Sequence, residues 1–399
     1  MKVIKNDDKI DELLTRGVDR IYPSREKLEQ VLRSGKKLKL YQGFDPTGTK
    51  LHLGHMVGLR KHRQWQDLGH EVIFLIGDGT GQAGDPTGKR KTRENFFTGE
   101  ELRANAKDYL SQAKKIVRFD GPNPIKILYN GDWLNKLTMV DILNITQHFS
   151  VQQLIERDMF QERLKTGESI NLREFLYPLL QGYDSVAMDV DLELGGSDQT
   201  FNMLAGRMLM RAMKGKEKFV MTMPLLSDSK GVKIGKTEGN VIGLTDNPND
   251  LFGKIMSLGD DAIIPMFNFL TDVPVEEISS FNIRKNAMNL KKRVASNIVE
   301  QLYDKILAKL AEENFSKTFQ KREIPEKMKE VKYENGELLS EVLVKNKILS
   351  SKSEWRRLVL ENAVHDLLKN QNITDVNFKT LGSLTLKIGK KRFIKIIKK

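Results

Sequence analysis

The spacing of apolar residues changes several times along the chain, and in the first part it predicts strands that alternate with helices. Residues 37–44 have the spacing of a strand, and residues 71–78 are a nearly continuous apolar run, typical of a buried parallel strand. Between them, apolar residues recur at helical spacing from about Gly54, and Gly69 ends that pattern. Strand, helix and strand in this order predict a βαβ unit. Residues 1–30 have a helical pattern.

Further along the chain, the pattern extends this unit into a larger α/β domain. Residues 125–130 and 190–194 are strand candidates, and helical spacing covers residues 138–165 and 172–186. Strands that alternate with helices are typical of a doubly wound, Rossmann-like sheet. We therefore predict a Rossmann-like domain over residues 1–245.

The pattern becomes purely helical after this domain and then changes again. Residues 246–320 predict an α-helical domain, and the charged, proline-containing segment 321–336 predicts a linker. The final segment, 337–399, opens with a helical pattern and ends in short β-prone pieces. It predicts a small α+β domain.

The charge of the chain is concentrated in that final segment. The 399 residues carry a net charge of +13, and residues 340–399 contain 14 Lys or Arg against five Asp or Glu. A solvated lysine-rich tail would have the same composition, but the ordered pattern of 337–399 favours a folded domain. A basic surface of this kind favours a polyanionic partner such as nucleic acid.

Other features of the sequence restrict the cellular location of the protein and the kinds of site that it can contain. The chain has no cysteine, which excludes disulfides and thiolate zinc sites. The N-terminal residues lack the apolar core of a signal peptide, and no apolar run is long enough to cross a bilayer. We therefore expect a cytoplasmic location.

The final segment has a pattern of its own. Ser351 and Glu354 fit a capping box, and the helix that follows carries Trp355 and other apolar residues on one face. The segment resembles the S4 RNA-binding domain. Closely spaced cations can neutralise several RNA phosphates and release counterions, and the resemblance implies RNA contacts by Lys352, Arg356, Arg357, Lys390, Lys391 and Arg392.

The strongest chemical signal is His52-Leu53-Gly54-His55, at a predicted helix start that follows a strand and a turn. A helix N-terminus presents free N–H groups and a positive dipole end, which suit phosphate. A glycine there permits a close approach, and two imidazoles add donors for developing negative charge. His-x-x-His could also be half of a metal site, but no acidic or His partner lies nearby at ligand spacing.

A second signal lies in residues 229–240, where glycines accompany Lys230, Lys233, Lys236 and Thr237. A cationic loop of this kind can close on a triphosphate and stabilise departing pyrophosphate. By itself it is more often an ordinary basic surface loop. Its pairing with the histidine segment favours a nucleotide site.

Two segments resemble phosphate-binding motifs but do not meet all the requirements of those motifs. Residues 79–84 match G-x-G-x-x-G, but Pro86 interrupts the chain where the helix of a dinucleotide site should begin. Gly84 and Gly88 are separated by three residues only, and Arg90 stands where a P-loop needs Ser or Thr.

The two signals together resemble the signature motifs of class I aminoacyl-tRNA synthetases. Ile234 and Gly235 replace the usual methionine and serine of the second motif, while both of its lysines remain. Residues 41–47, 180–184 and 194–199 extend the resemblance to the tyrosyl-tRNA synthetases over nearly the whole chain. The first domain would then be catalytic, and the final domain is one that bacterial members carry.

The resemblance implies a role for each matching residue. At the amino acid, hydrogen bonds to the phenol come from Tyr41 and Asp184, and the ammonium is held by Tyr177, Gln181 and Asp85, with Thr80 and Asn130 nearby. The ATP and adenylate site comprises Gly43, Asp45, Gly54, Gly196, Asp198, Gln199 and Lys236. Phosphates and pyrophosphate meet Thr47, His52, His55, Lys89, Arg93, Lys233, Lys236 and Thr237.

The resemblance also implies substrates and partners: ATP with Mg²⁺, L-tyrosine, the tyrosine tRNA, and a homodimer formed through residues 138–160. No protein-bound metal is expected. Three alternatives stay open, which are a tryptophanyl synthetase, a nucleotidyltransferase with a similar first motif, and an RNA-binding factor that has lost activity. Tyr41 and Asp184 argue against the tryptophanyl synthetase. The length of the chain argues against the nucleotidyltransferase, and the intact lysine loop argues against the inactive RNA-binding factor.

Overall fold

The computed structural model describes residues 1–48, 50–87, 95–227, 241–317, 328–334, 336–369, 371–380, 382–389 and 392–398. The chain folds into two compact units, Met1–Lys309 and Leu310–Lys399. The predicted boundaries near residues 245 and 320 stay predictions. No described helix has the length and apolarity needed to cross a membrane, and the cytoplasmic location also stays a prediction.

The first unit is built on a six-stranded sheet. Its strands are β1 (Arg20–Tyr22), β2 (Lys39–Phe44), β3 (Glu71–Ile76), β4 (Lys126–Tyr129), β5 (Leu192–Gly196) and β6 (Phe219–Met223). They are ordered β1-β6-β5-β2-β3-β4. All neighbours are parallel except β1, which pairs with β6 in the antiparallel sense. The predicted doubly wound, Rossmann-like fold is confirmed.

Helices connect and flank these strands. Those up to β6 are α1 (Asp7–Thr15), α2 (Arg25–Ser34), α3 (Leu53–Asp67), α4 (Thr80–Ala83), α5 (Gly99–Ala113), α6 (Gly131–Leu134), α7 (Met139–Thr146), α8 (Val151–Ile155), α9 (Asp158–Thr166), α10 (Leu172–Met188) and α11 (Thr200–Lys214). After β6 come α12 (Pro248–Met256), α13 (Ile263–Leu270), α14 (Val275–Ser279), α15 (Ile283–Leu302) and α16 (Lys305–Phe315). Short 3-10 turns cover Ser197–Gln199 and Asp260–Ala262.

The order of the strands creates a crevice beside β2. From β2 the chain proceeds to β3 and β4 on one side, and β5 and β6 lie on the other side. The segments that leave the carboxyl ends of β2 and β5 therefore diverge, which is where doubly wound sheets bind ligands. β3 supports this edge, because Val72 through Ile76 are all buried.

Helix α3 is fixed at its middle as well as at its start. The Lys61 ammonium is buried and donates to the carbonyls of Leu13 (3.0 Å) and Arg16 (2.7 Å) at the end of α1. Arg60 forms an ion pair with Asp272 and a hydrogen bond with Gln301. These contacts hold the helix whose first residues were predicted to meet phosphate.

Three sequence expectations are corrected in the first unit. The predicted helical N-terminus is interrupted by strand β1. The helical stretch 138–165 is three helices, because Ser150 accepts a hydrogen bond from the Gln153 N–H and starts α8, while extended backbone at Arg157 starts α9. Strand β6 was not predicted at all.

In its described residues, the second unit contains the end of α16, a five-stranded sheet and two further helices. Its elements are β7 (Lys329–Tyr333), α17 (Leu339–Lys345), α18 (Lys352–Leu360), β8 (Val364–Asp366), β9 (Gln371–Asn372), β10 (Leu384–Ile388) and β11 (Arg392–Lys398). The strand order is β7-β11-β10-β8-β9, and only β7 and β11 are parallel. Trp355, Leu386 and Ile396 lie in its buried core.

Two details of this unit differ from the sequence expectations. Strand β7 lies inside the segment predicted as a linker, because Val331 and Tyr333 alternate with polar residues and are buried. The predicted capping box is half formed. Ser351 accepts from the Glu354 N–H (3.1 Å), whereas the Glu354 carboxylate accepts from the N–H of Ser350 (2.7 Å).

Candidate functional site

A cleft of about 730 Å³ opens at the carboxyl ends of β2 and β5. It is lined by all sixteen described residues that were predicted to bind amino acid or nucleotide, namely Tyr41, Gly43, Asp45, Thr47, His52, Gly54, His55, Thr80, Asp85, Asn130, Tyr177, Gln181, Asp184, Gly196, Asp198 and Gln199. Their individual roles stay predictions. The predicted residues Lys89, Arg93, Lys233, Lys236, Thr237, Lys390 and Lys391 lie outside the described residues.

The two histidines are held by the start of helix α3. His52 is the N-cap, and its Nδ1 accepts from the Gly54 N–H at 3.1 Å. The His55 Nδ1 accepts from the His52 N–H at 3.2 Å, and the ring centroids lie 4.0 Å apart. An Nδ1 that accepts carries no proton, so each neutral ring has its N–H at Nε2. Each ring therefore has one N–H donor, at Nε2.

Helix α10 supplies one wall of the cleft. Tyr177, Gln181 and Asp184 line it, at spacings of four and three residues that place them on one helix face. The opposite residues of α10 pack inward, and Leu179 and Val186 lie in an apolar cluster with α11. One face of α10 thus contributes three of the predicted ligand-binding residues to the cleft.

Asp184 closes one end of the cleft and is buried. Its Oδ2 accepts from the Asn130 amide at 3.0 Å, and its Oδ1 accepts from the Trp133 indole N–H at 2.8 Å. Burial raises the pKa of Asp184 well above its usual value, and the two N–H donors oppose that rise. A carboxyl held in this way can still accept one hydrogen bond from a ligand hydroxyl.

Asp45 ties the middle of the cleft together. Its Oδ1 accepts from the Thr80 hydroxyl at 2.7 Å, and its Oδ2 accepts from the Tyr177 hydroxyl at 2.8 Å. Burial, and then the Asp45 carboxylate, raise the pKa of Tyr177 well above its usual value, so the phenol remains a donor. Gly77 makes room for this contact, because a Cβ there would lie 1.9 Å from the Asp45 Oδ1.

Asp85 has a similar pair of donors. Its Oδ2 accepts from the Gln199 amide at 2.9 Å, and its Oδ1 accepts from the Thr87 N–H at 2.9 Å. Behind it, the buried Arg157 guanidinium donates to the Thr87 hydroxyl at 3.3 Å. The residue predicted for the ammonium and the one predicted for the adenylate are therefore in direct contact.

Sequence analysis missed a group of buried polar side chains behind the cleft. Tyr41 shares a hydrogen bond of 2.9 Å with the hydroxyl of Ser185, which also accepts from Lys218 at 2.8 Å. Lys218 forms a buried ion pair with Glu193, whose other oxygen accepts from Gln181 at 3.0 Å. An acidic residue at the centre of an apolar strand was the available signal. Trp133 carried no comparable signal.

Within the described ranges, no cluster of three or more His, Asp or Glu side chains is placed to hold a metal ion. The carboxyl groups of Asp45, Asp85 and Asp184 accept from N–H and O–H donors instead.

The second unit presents four described cations of the predicted RNA-binding set. Lys352, Arg356, Arg357 and Arg392 are exposed, while Trp355 of the same helix is buried. Lys352 pairs with Glu341 and Arg392 pairs with Glu354, both at 2.8 Å. Arg356 and Arg357 line an open depression on α18 together with Ser353, Leu360 and Glu361.

The Rossmann-like sheet, the histidine pair at the start of α3 and the cleft between β2 and β5 define a class I aminoacyl-tRNA synthetase core. A family model described as "tRNA synthetases class I (W and Y)" matches residues 33–320. The chain is 40% identical to a tyrosine–tRNA ligase of Dehalococcoides mccartyi, over 98% of this chain and 100% of that protein. It is 41% identical to one of Carboxydothermus hydrogenoformans, over 97% of each.

Solved structures agree on the fold. A truncated mitochondrial tyrosyl-tRNA synthetase of Aspergillus nidulans superposes with a TM-score of 0.66 and 24% identity, covering 79% of this chain and 95% of that one. The chain belongs to the tyrosine–tRNA ligase family. The resemblance stated from its motifs is confirmed.

Replacing Gly77 tests the contact that holds Asp45. Gly77→Ala should displace the Asp45 carboxylate and weaken binding of a non-reactive tyrosyl-adenylate analogue by roughly tenfold or more, measured by calorimetry. Gly253→Ala is the matched control, because a Cβ there meets nothing within 4 Å. Equal affinities for the two variants would show that Asp45 does not hold the ligand.

Proposed function

We propose that this chain activates L-tyrosine with ATP in the cleft and then transfers the tyrosyl group to the 3′ end of its tRNA. The observation that carries the proposal is one continuous cleft with a buried carboxyl, Asp184, near Tyr41, and a pair of imidazole donors, His52 and His55, in its lining. The first end suits a phenol, and the second suits phosphate.

The amino-acid end selects a hydroxyl. The substrate phenol accepts from Tyr41 and donates to Asp184, which is already fixed by Asn130 and Trp133. Phenylalanine would leave these buried groups without partners, and a site of this type rejects such an analogue strongly. The substrate ammonium lies near Tyr177, Gln181 and Asp85, with Thr80 and Asn130 beside it.

The first step is attack of the tyrosine carboxylate on the α-phosphorus of ATP. A bond forms between a carboxylate oxygen and phosphorus, and the bond from phosphorus to the β-phosphate oxygen breaks, so pyrophosphate leaves. The nucleophile is already ionised, and no general base is needed. Catalysis then consists of positioning and charge stabilisation, to which His52 and His55 contribute Nε2–H donors beside Thr47.

Other groups of the family motif complete the nucleotide site. Asp45, Asp198 and Gln199 line the adenylate, with Gly43, Gly54 and Gly196 permitting its close approach. Pyrophosphate is stabilised by Lys89, Arg93, Lys233, Lys236 and Thr237. Mg²⁺ enters on the phosphates of ATP as part of the substrate.

The second step joins tyrosine to RNA. The terminal adenosine hydroxyl of the tRNA attacks the adenylate carbonyl, and AMP leaves. Residues 246–320 and the S4-like domain hold the tRNA, mainly through phosphates and shape. The exposed cations of α18 support this assignment for the second unit.

ATP–pyrophosphate exchange with each of the twenty amino acids tests the first step. Tyrosine should stimulate exchange and the others should not. Stimulation by tryptophan would overturn the specificity, and no stimulation at all would favour an RNA-binding protein without activity.

Asp184→Asn should lower kcat/KM for tyrosine by roughly 100-fold or more, whereas Asp189→Asn, at the exposed end of α10, should not.

Charge removal on α18 tests the RNA-binding surface. The double variant Arg356→Gln/Arg357→Gln should raise the KM for tRNA in aminoacylation by roughly tenfold and reduce its salt dependence, because two phosphate contacts are lost. Exchange should be unchanged. Lys9→Gln/Lys27→Gln, which removes two exposed cations from α1 and α2, is the control. Equal effects of the two double variants would show that α18 contributes only to the overall positive charge of the protein.

A homodimer through α7 and α8 completes the proposal. Met139, Val140, Leu143 and Val151 are apolar yet 71%, 64%, 59% and 67% exposed. A cluster of this kind is typical of a surface that a partner covers, and a second copy can cover it with its own equivalent face.

Leu143→Asp places a charge in that face and should convert a dimer into a monomer in sedimentation velocity. Leu368→Asp, at an exposed apolar position of the second unit (63%), should leave the dimer intact. A wild-type chain that sediments as a monomer would contradict the proposal.

A further inference from the structure

A buried ion pair lies directly behind the amino-acid end of the cleft and has no part in the reaction described above. Lys218 precedes β6, Glu193 lies in β5, and their side chains are 0% and 1% exposed. Neither residue lines the cleft. A buried pair of this kind seldom stabilises a fold more than apolar side chains of the same size would. The effect of the pair on the cleft therefore lies in the side chains that its hydrogen bonds orient, more than in its Coulomb energy.

The lysine sets the direction of a short chain of hydrogen bonds. An ammonium has donors only, so the Ser185 hydroxyl oxygen accepts from Lys218 at 2.8 Å. The Ser185 hydrogen then has two acceptors in reach, the Tyr41 oxygen at 2.9 Å and the Glu193 carboxylate at 3.5 Å. Either hydroxyl can donate across the contact between Tyr41 and Ser185. Lys218 already occupies one lone pair of the Ser185 oxygen and thereby favours donation by Ser185, which directs the hydrogen of Tyr41 to a ligand.

The glutamate sets the orientation of an amide in the same way. The Gln181 Nε2 donates to the Glu193 Oε1 at 3.0 Å. Because Gln181 lines the cleft, this bond leaves its carbonyl oxygen as the group presented there. A carbonyl oxygen accepts from an ammonium, whereas the opposite orientation would place N–H donors against it.

We infer that Lys218 and Glu193 are positioning residues that fix Tyr41 as a donor to the substrate phenol and Gln181 as an acceptor for the substrate ammonium. This inference rests on the proposed binding of tyrosine in the cleft. The fold reserves space for the pair at Gly206 of α11, where a Cβ would lie 2.6 Å from the Lys218 Nζ and 2.9 Å from the Ser185 Oγ.

The double variant Glu193→Gln/Lys218→Met tests the inference, since it removes both charges and keeps the volume. Without the lysine donor, both lone pairs of the Ser185 oxygen are open to Tyr41, whose hydrogen then turns away from the cleft more readily. Tyrosinol and phenylalaninol differ by one hydroxyl and cannot be activated, so the ratio of their inhibition constants in exchange measures the hydroxyl contact. That ratio should fall by roughly tenfold, with the KM for ATP unchanged.

The inhibition by phenylalaninol reports separately on the ammonium contact and should weaken as well, by a smaller factor. The control is Arg163→Met/Glu174→Gln, which removes another buried ion pair (2.7 Å, 1% and 4% exposed) that involves α10 but not the cleft. It should leave the inhibitor ratio within twofold of wild type. A ratio that falls equally in both double variants would overturn the inference, because a general loosening of α10 would explain it.

Gly206→Ala provides a second route if the double variant does not fold. It displaces Lys218 and Ser185 while every charge and every cleft residue stays, and it should lower the inhibitor ratio in the same direction. A ratio unchanged in a folded variant, with active wild-type enzyme, would overturn the inference and leave the proposed function intact. A wild-type chain without tyrosine-dependent exchange would overturn the proposed function itself.

Discussion

The reversal of strand order between β5 and β2 is the constraint on which the cleft depends. Adjacent parallel strands whose connections leave in opposite directions cannot close the space above their carboxyl ends. β2 delivers Tyr41 and Asp45 to that space, and β5 delivers Gly196 and the turn that carries Asp198. Helix α3 then starts at the same edge with the histidine pair.

The carboxyl groups in the cleft and directly behind it are held by protein donors, and this determines what a ligand meets. Asp45, Asp85, Asp184 and Glu193 each accept from two different residues. Polar groups buried in this way remain in one arrangement, because every alternative leaves a donor or acceptor without a partner. In the proposed function, the specificity of the amino-acid end would therefore depend on a network larger than the residues that touch the substrate.

Much of this could be predicted from the sequence, for physical reasons. Buried strands such as 71–78 and the glycine that ends α3 have strong local signals, and the histidine segment lies at a helix start whose geometry is local. The site residues, however, were assigned from the resemblance to a known family, because no spacing in the sequence predicts that Asp85 contacts Gln199. Strand β6 and the pair formed by Glu193 and Lys218 depend on packing between distant segments. Strand β7 was not predicted, because it lies in a charged stretch and only Val331 and Tyr333 face the core.

The manner in which His52 and His55 are held has a consequence for the energetics of the first chemical step. Both rings accept from backbone N–H groups at the start of α3, so the helix cap itself sets their orientation. In the proposed reaction, charge that develops on phosphate would meet dipoles that are already aligned, with little solvent or side-chain reorganisation. The helix cap and the proposed transition-state contact would then be one structure, so a substitution at His52 would alter the barrier and the helix start together.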